Sequence, residues 1–119
     1  MPHFRLETNV PQSDIPADLP AKICQVLSKS LGKPISYCVA TVVGGVAMSW
    51  GGSNAKCAQA TLMSIGALGQ EQNKKHSKAI FDLITKELGI ADDKMYISFT
   101  DNPSMNVGYQ STTFHDILG

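Results

Sequence analysis

The residues with the most chemical potential lie at the start of the chain. It opens Met1-Pro2-His3-Phe4-Arg5-Leu6-Glu7-Thr8, and a small penultimate residue such as proline permits removal of the initiator methionine. Pro2 then carries a free secondary amine at the tip of a strand, able to act as a base or a nucleophile. An acylated proline nitrogen can do neither. The alternative is that the proline only opens an edge strand, where its missing N–H does no harm. Other candidate chemistry is sparse. Cys24, Cys38 and Cys57 are odd in number and far apart, which is no disulfide framework, and buried thiols are the expectation. His3, His76 and His115 share no ligand spacing with one another or with the cysteines, so no metal is expected.

Composition narrows the function class. The 119 residues fit one domain, 1–119, with room for a proper core. Hydrophobic residues make up 43% and charged residues 17%, ordinary values for a soluble globular protein. Ten basic residues balance ten acidic ones, which gives no reason to expect nucleic-acid or membrane-surface binding. No apolar run approaches the ~20 residues of a membrane span, and the opening residues do not read as a secretory signal. Synthesis in the cytoplasm as a soluble chain is expected. An extracellular role would require export without a signal peptide.

The elements that must position Pro2 follow from periodicity. Phe4 and Leu6 alternate with His3, Arg5 and Glu7, a period of two that predicts a strand with one apolar and one polar face. Asp18 is a plausible N-cap, with Pro20 in the first turn of a helix. Leu19, Ile23, Val26, Leu27 and Leu31 form the apolar side of that helix, and Gly32 stops it. Ile35 to Val43 is rich in β-branched residues and reads as one buried strand. Val46 to Trp50 reads as a short strand, and Ala58 to about Ile65 as a long one. A second helix is predicted over Gln70 to Leu88, with Ile80, Phe81, Leu83, Ile84 and Leu88 on its apolar side. Strand four is predicted over Lys94 to Thr100, and another short strand over Met105 to Tyr109.

The layout repeats. Leu27-Ser28-Lys29-Ser30-Leu31-Gly32 matches Ile84-Thr85-Lys86-Glu87-Leu88-Gly89 at an offset of 57. Two tandem βαβ units imply an α/β (α+β) domain with pseudo-twofold symmetry. Right-handed crossovers place both helices on one face of a four-stranded mixed sheet. The other face is left uncovered, which together with short edge strands argues for a homo-oligomer. In strand four, Met95, Ile97 and Phe99 face the helices, so Tyr96 and Ser98 point the other way. They either meet a neighbouring subunit or line a solvated surface.

Taken together, these residues resemble the macrophage migration inhibitory factor family and, less closely, the related D-dopachrome tautomerases. The resemblance spans nearly the whole chain. It rests on Met1-Pro2, Thr8-Asn9-Val10-Pro11, Gly32-Lys33-Pro34, Trp50-Gly51-Gly52-Ser53, Met63-Ser64-Ile65-Gly66, Asn73, His76-Ser77, Met95-Tyr96-Ile97, Asn106-Val107-Gly108-Tyr109 and Ser111-Thr112-Thr113-Phe114. It implies a homotrimer with a solvent channel and three keto–enol tautomerase sites at subunit boundaries. Pro2 is implied as the catalytic base. Lys33 is implied as the cation that lowers the amine's pKa and holds a carboxylate or enolate oxygen. The Ile65 N–H, with Ser64 beside it, is implied as a further oxygen ligand, and Tyr96 is expected from the adjacent subunit. Val107, Tyr109 and Phe114 would wall in an aromatic ring. The implied substrates are aromatic α-keto acids such as phenylpyruvate, or dopachrome-like molecules, with no cofactor.

Three departures qualify what the resemblance implies. Ser98 stands where vertebrate members carry an asparagine, and Tyr109 where they carry a tryptophan, changes that bear on substrate preference. The run Cys57-Ala58-Gln59-Ala60 lacks the second thiol of the family's Cys-x-x-Cys, so thiol-oxidoreductase activity is not expected. The family also implies an alternative function, a secreted inflammatory cytokine of innate immunity binding a cell-surface receptor, with the pocket vestigial. One feature is either a solvated polar face or a surface for an acidic partner or polyanion. Lys74, Lys75 and Lys78 cluster in the first two turns of the second helix, against its dipole.

Overall fold

The central strand, β1 (His3–Thr8), sends Phe4, Leu6 and Thr8 into the interior and leaves Arg5 exposed. This is the alternation its sequence predicts. The computed structural model describes residues 1–118. A helix, α1 (Leu19–Leu31), leads from β1 to β2 (Val39–Val43), which pairs parallel to β1. The second half repeats the arrangement: β3 (Ala58–Ser64), α2 (Gln70–Leu88) and β4 (Met95–Asp101), with β4 parallel to β3. β1 and β3 run antiparallel in the middle, so the sheet order is β2-β1-β3-β4. Two parallel βαβ units related about a central antiparallel pair are the predicted pseudo-twofold. A small hairpin, β5 (Gly108–Tyr109) with β6 (Thr112–Thr113), and a short helix α3 (Phe114–Leu118) follow.

The internal symmetry extends to single hydrogen bonds. Gly32 and Gly89 both end their helices with left-handed backbone, φ 68° and 69°, and donate to the Ser28 and Thr85 carbonyls. That conformation favours glycine over any residue with a Cβ. The Ser28 hydroxyl donates to the Lys33 carbonyl at 2.6 Å, and the Thr85 hydroxyl donates to the Ile90 carbonyl at 2.8 Å. The two halves therefore turn out of their helices in the same way but deliver different residues, a half-buried lysine in one and a buried isoleucine in the other.

Both helices pack on one sheet face. Leu19, Ile23 and Leu27 from α1 and Ile80 and Ile84 from α2 join Phe4, Leu6, Ala58, Ala60 and Leu62 in one core. Lys22 on α1 bonds Glu87 on α2 at 2.6 Å and ties the helices together. The opposite face carries Arg5, Glu7, Gln59, Thr61, Tyr96 and Ser98, which line a hollow of about 330 Å³.

Some local expectations are revised. Residues 35–43 are not one buried strand. Pro34 starts a 3₁₀ turn over Ile35–Tyr37, and only Val39–Val43 is strand. That strand lies at the sheet edge with none of its residues buried, so its β-branched residues reflect extended backbone rather than a core position. Val46–Trp50 forms no strand, only a bridge between Trp50 and Ser53. The stretch 105–109 begins in a 3₁₀ turn over Ser104–Asn106, and only Gly108–Tyr109 of it is strand. Asp18 occupies the N-cap of α1 without capping it, because its carboxylate turns to Lys22 at 3.5 Å. Of the thiols, Cys57 is buried while Cys24 and Cys38 are half-buried.

Leu27 is fully buried between α1 and the sheet. Leu27→Ala is expected to cost about 2–5 kcal/mol, read as a lower denaturation midpoint with unchanged m-value.

Candidate functional site at the N-terminal end of the central strand

Pro2 is fully buried, and its carbonyl accepts the Val39 N–H at 3.1 Å. This bond extends the β1–β2 ladder by one step and anchors the start of the chain between strands. With Met1 in place, the terminal amine belongs to Met1 and the Pro2 nitrogen is an amide. That terminal amine is held below its ordinary value of 8.0, first by burial and then by the nearby Lys33 charge, with Cys38 opposing. Burial disfavours the ammonium, and a neighbouring cation disfavours it further.

Lys33 reaches this point because α1 stops at Gly32 and the chain turns sharply out of the helix. Its ammonium donates to the Ile65 carbonyl at 3.1 Å. Ile65 follows β3 directly, where Gly66 takes φ 75° and Ala67 takes φ 62°. A left-handed alanine costs roughly 1–2 kcal/mol, so this turn is held by its surroundings. The Gly66 N–H donates to Asp101 Oδ1 at 3.0 Å, and the Asn102 N–H donates to the Ser64 carbonyl at 2.9 Å. The Ser64 hydroxyl is buried without a hydrogen-bond partner, the one such side-chain atom among the described residues. In an apolar setting such a group costs free energy unless something polar meets it.

An aromatic cluster stands over the segment between Lys33 and β2. Tyr109 and Phe114 stack at 5.0 Å and 9°. Tyr37 meets both edge-on, at 5.6 Å and 5.9 Å. Val107 is buried, and its carbonyl accepts the Phe114 N–H at 3.0 Å. Tyr37 is an addition to the expected residues. Reading 35–43 as uniform strand conceals the turn that swings Tyr37 toward Phe114.

Tyr96 and Ser98 lie elsewhere. Through the register Glu7–Gln59–Tyr96, Tyr96 stands level with a residue five places beyond Pro2. At ~3.3 Å per residue this is roughly 16 Å along the strand, with two further strand spacings of ~4.8 Å. Tyr96 is 70% exposed and packs against Trp50 at 4.7 Å. The expected site residues therefore fall into two groups within one chain. Pro2, Lys33, Ser64 and Ile65 lie at one end of the sheet, with Tyr109 and Phe114 gathered around Tyr37 and Val107 bonded to Phe114. Tyr96 and Ser98 stand on the uncovered sheet face.

A sequence profile for macrophage migration inhibitory factor (MIF) matches residues 1–115. The chain belongs to this family. Similar to this MIF-family chain are a macrophage migration inhibitory factor homolog of Brugia malayi, 39% identical over 96% of this chain and 99% of that one, and D-dopachrome decarboxylase-B of Xenopus laevis, 40% identical over 94% and 96%. Among solved structures, the macrophage migration inhibitory factor of Trichinella spiralis superposes with TM-score 0.91 at 36% identity, covering 94% of this chain and 99% of that one. A homologue from Prochlorococcus marinus reaches TM-score 0.87 at 30% identity, covering 94% and 98%. The mixed four-stranded sheet with two main helices is thus the MIF architecture.

In MIF-family protein that keeps Met1, Lys33→Ala is expected to raise the terminal amine's pKa while leaving it below 8.0, because burial remains. NMR titration of the amine reads this out. An unchanged pKa would mean that Lys33 does not act on it.

Proposed function

We propose that this MIF-family chain, once Met1 is removed, is a cofactor-independent keto–enol tautomerase with Pro2 as general base. The observation that carries the reading is the position of the chain's first residues, covered by the fold and beside Lys33, where an amine's pKa is lowered. Burial and the Lys33 charge both disfavour an ammonium there, which is the direction a general base requires.

The reaction follows from the groups present. Pro2 takes the proton from the carbon beside the keto group of an aromatic α-keto acid such as phenylpyruvate, or of a dopachrome-like molecule. Negative charge then moves to the keto oxygen. Lys33 and the Ile65 amide stabilise that enolate, and the proton is returned to oxygen. The Lys33 ammonium rests on the Ile65 carbonyl, so substrate binding would exchange that neutral acceptor for an anionic one. The hydroxyl of Ser64, the residue before Ile65, is buried and has no partner of its own among the described residues. Tyr109 and Phe114, with Tyr37, provide an aromatic wall for the substrate ring.

The separation of Tyr96 and Ser98 from Pro2 supports a homotrimer in which Tyr96 completes the neighbouring subunit's site. The β2 edge and the polar sheet face, both uncovered in one chain, are the surfaces such an assembly would use. Sedimentation is expected to give a species of three times the chain mass, and Tyr96→Ala to raise KM for phenylpyruvate. A monomer retaining full activity would contradict the shared site.

A second reading, an extracellular signalling protein binding a cell-surface receptor, is favoured by the relatives named as macrophage migration inhibitory factors. The lysine cluster lends it little, because Lys74 pairs with Glu71 at 3.2 Å and Lys78 with Asp82 at 2.8 Å. Cell-migration assays on a tautomerase-dead variant separate the two activities.

Pro2→Gly in protein with a verified free N-terminus is expected to lower phenylpyruvate turnover by about 10²–10⁴-fold. An unchanged rate would remove Pro2 from the mechanism. Activity of the intact site is expected to rise with pH through the lowered amine pKa and then level, since the base form is the reactive one.

A further inference from the structure

His76 is fully buried in the second turn of α2 and is not one of the groups assigned above to the reaction. Its Nε2 lies 2.8 Å from the Ala67 carbonyl. A carbonyl can only accept, so Nε2 carries the proton, and in the neutral ring Nδ1 is then an acceptor. The Ser30 hydroxyl, 2.6 Å away, donates to Nδ1. The result is a directed relay from Ser30 through His76 to Ala67, buried between the two helices and the turn after β3.

Both ends of this relay lead to the site. Ser30 stands in the last turn of α1, three residues before Lys33. That turn is rigidly joined to Lys33, because the Ser28 carbonyl accepts the N–H groups of both Gly32 and Lys33 and the Ser28 hydroxyl holds the Lys33 carbonyl. Ala67 is two residues after Ile65, in the left-handed conformation that the turn requires. The Lys33–Ile65 bond closes the loop on the other side. Packing alone would be served by an apolar side chain at position 76. A buried imidazole with both nitrogens partnered supplies direction that an apolar group cannot.

We infer that His76, with Ser30, is a positioning residue that sets the separation between the Lys33 ammonium and the Ile65 backbone. It touches neither the terminal amine nor a substrate and acts through the two segments it joins. The inference rests on the tautomerase reading for its effect on turnover, but not for its effect on the amine. With Met1 in place, burial acts first on the terminal amine, then the Lys33 charge, with Cys38 opposing. A drift of Lys33 away from it therefore raises its pKa.

The test uses full-length protein with Met1 removed and compares His76→Phe, His76→Gln and Ser30→Ala. Phenylalanine keeps a ring of similar size and leaves the Ala67 carbonyl and Ser30 hydroxyl unpartnered, whereas glutamine can restore the donor to Ala67. Two quantities are read: kcat for phenylpyruvate, and the pH dependence of Pro2 alkylation by a small electrophile, followed by mass spectrometry. His76→Phe is expected to lower kcat by about tenfold to a hundredfold and to move the alkylation inflection to higher pH, with His76→Gln recovering much of both. Wild-type kcat and inflection in His76→Phe, with only a lower Tm, would overturn the inference and leave His76 a packing residue. If His76→Phe does not fold, Ser30→Ala carries the test. It is expected to move both quantities in the same direction by a smaller amount, and wild-type values there would overturn the inference equally. Absence of turnover in the unsubstituted protein would defeat the tautomerase reading alone, since the alkylation inflection still reports the Lys33 spacing.

Discussion

A partly buried amine beside a lysine is the constraint on which this structure turns. Either group alone would prefer water, and two positive charges brought together in a half-buried corner would repel. The terminal amine is the one displaced below its ordinary value, while the Lys33 ammonium keeps a carbonyl partner at 3.1 Å. Much of the surrounding architecture serves this arrangement. β1 must be central so that its start is covered on both sides. The Ser28–Gly32 turn must aim Lys33 back at β1, and the left-handed pair Gly66 and Ala67 must return the Ile65 carbonyl to meet it.

The pseudo-twofold divides labour between two copies of one motif. Both halves use the same helix stop and the same hydroxyl-to-carbonyl bond, yet only the first half ends in a cation, where the second places the buried Ile90 in the core. The sheet is divided in a similar way. Its helix-covered face holds the core, and its open face presents Tyr96, Arg5, Glu7 and Gln59 around a shallow hollow. In one chain that face and the β2 edge are both uncovered, and Tyr96 stands far from Pro2 along the strand register.

Features set by local sequence are legible without the structure. β1, α1, α2 and β4 follow from periodicity, and α2 matches its predicted span from Gln70 to Leu88. The two-repeat topology follows from the match between residues 27–32 and residues 84–89, which continues into real cap geometry at Gly32 and Gly89. Non-local features are not legible. β2 reads as a buried strand because valine and threonine favour extended backbone wherever they lie, and composition does not say that the strand is at an edge. Tyr37 is hidden because Pro34 starts a turn in the middle of a β-rich run. The Ser30–His76–Ala67 relay joins residues far apart in sequence through tautomer-specific bonds, which no spacing rule encodes. For the site, the residue identities come from family resemblance. The structure adds their division into two groups and the contact between Lys33 and Ile65.

The most direct measurement compares two preparations of the same sequence, one with Met1 retained and one with Met1 removed, each verified by mass spectrometry, in a phenylpyruvate tautomerase assay across pH. Turnover is expected only from the processed form, with a rate that rises through an amine pKa below the ordinary value and then levels. Equal turnover from the two forms would contradict a role for Pro2 as the base, because an acylated proline nitrogen cannot take a proton.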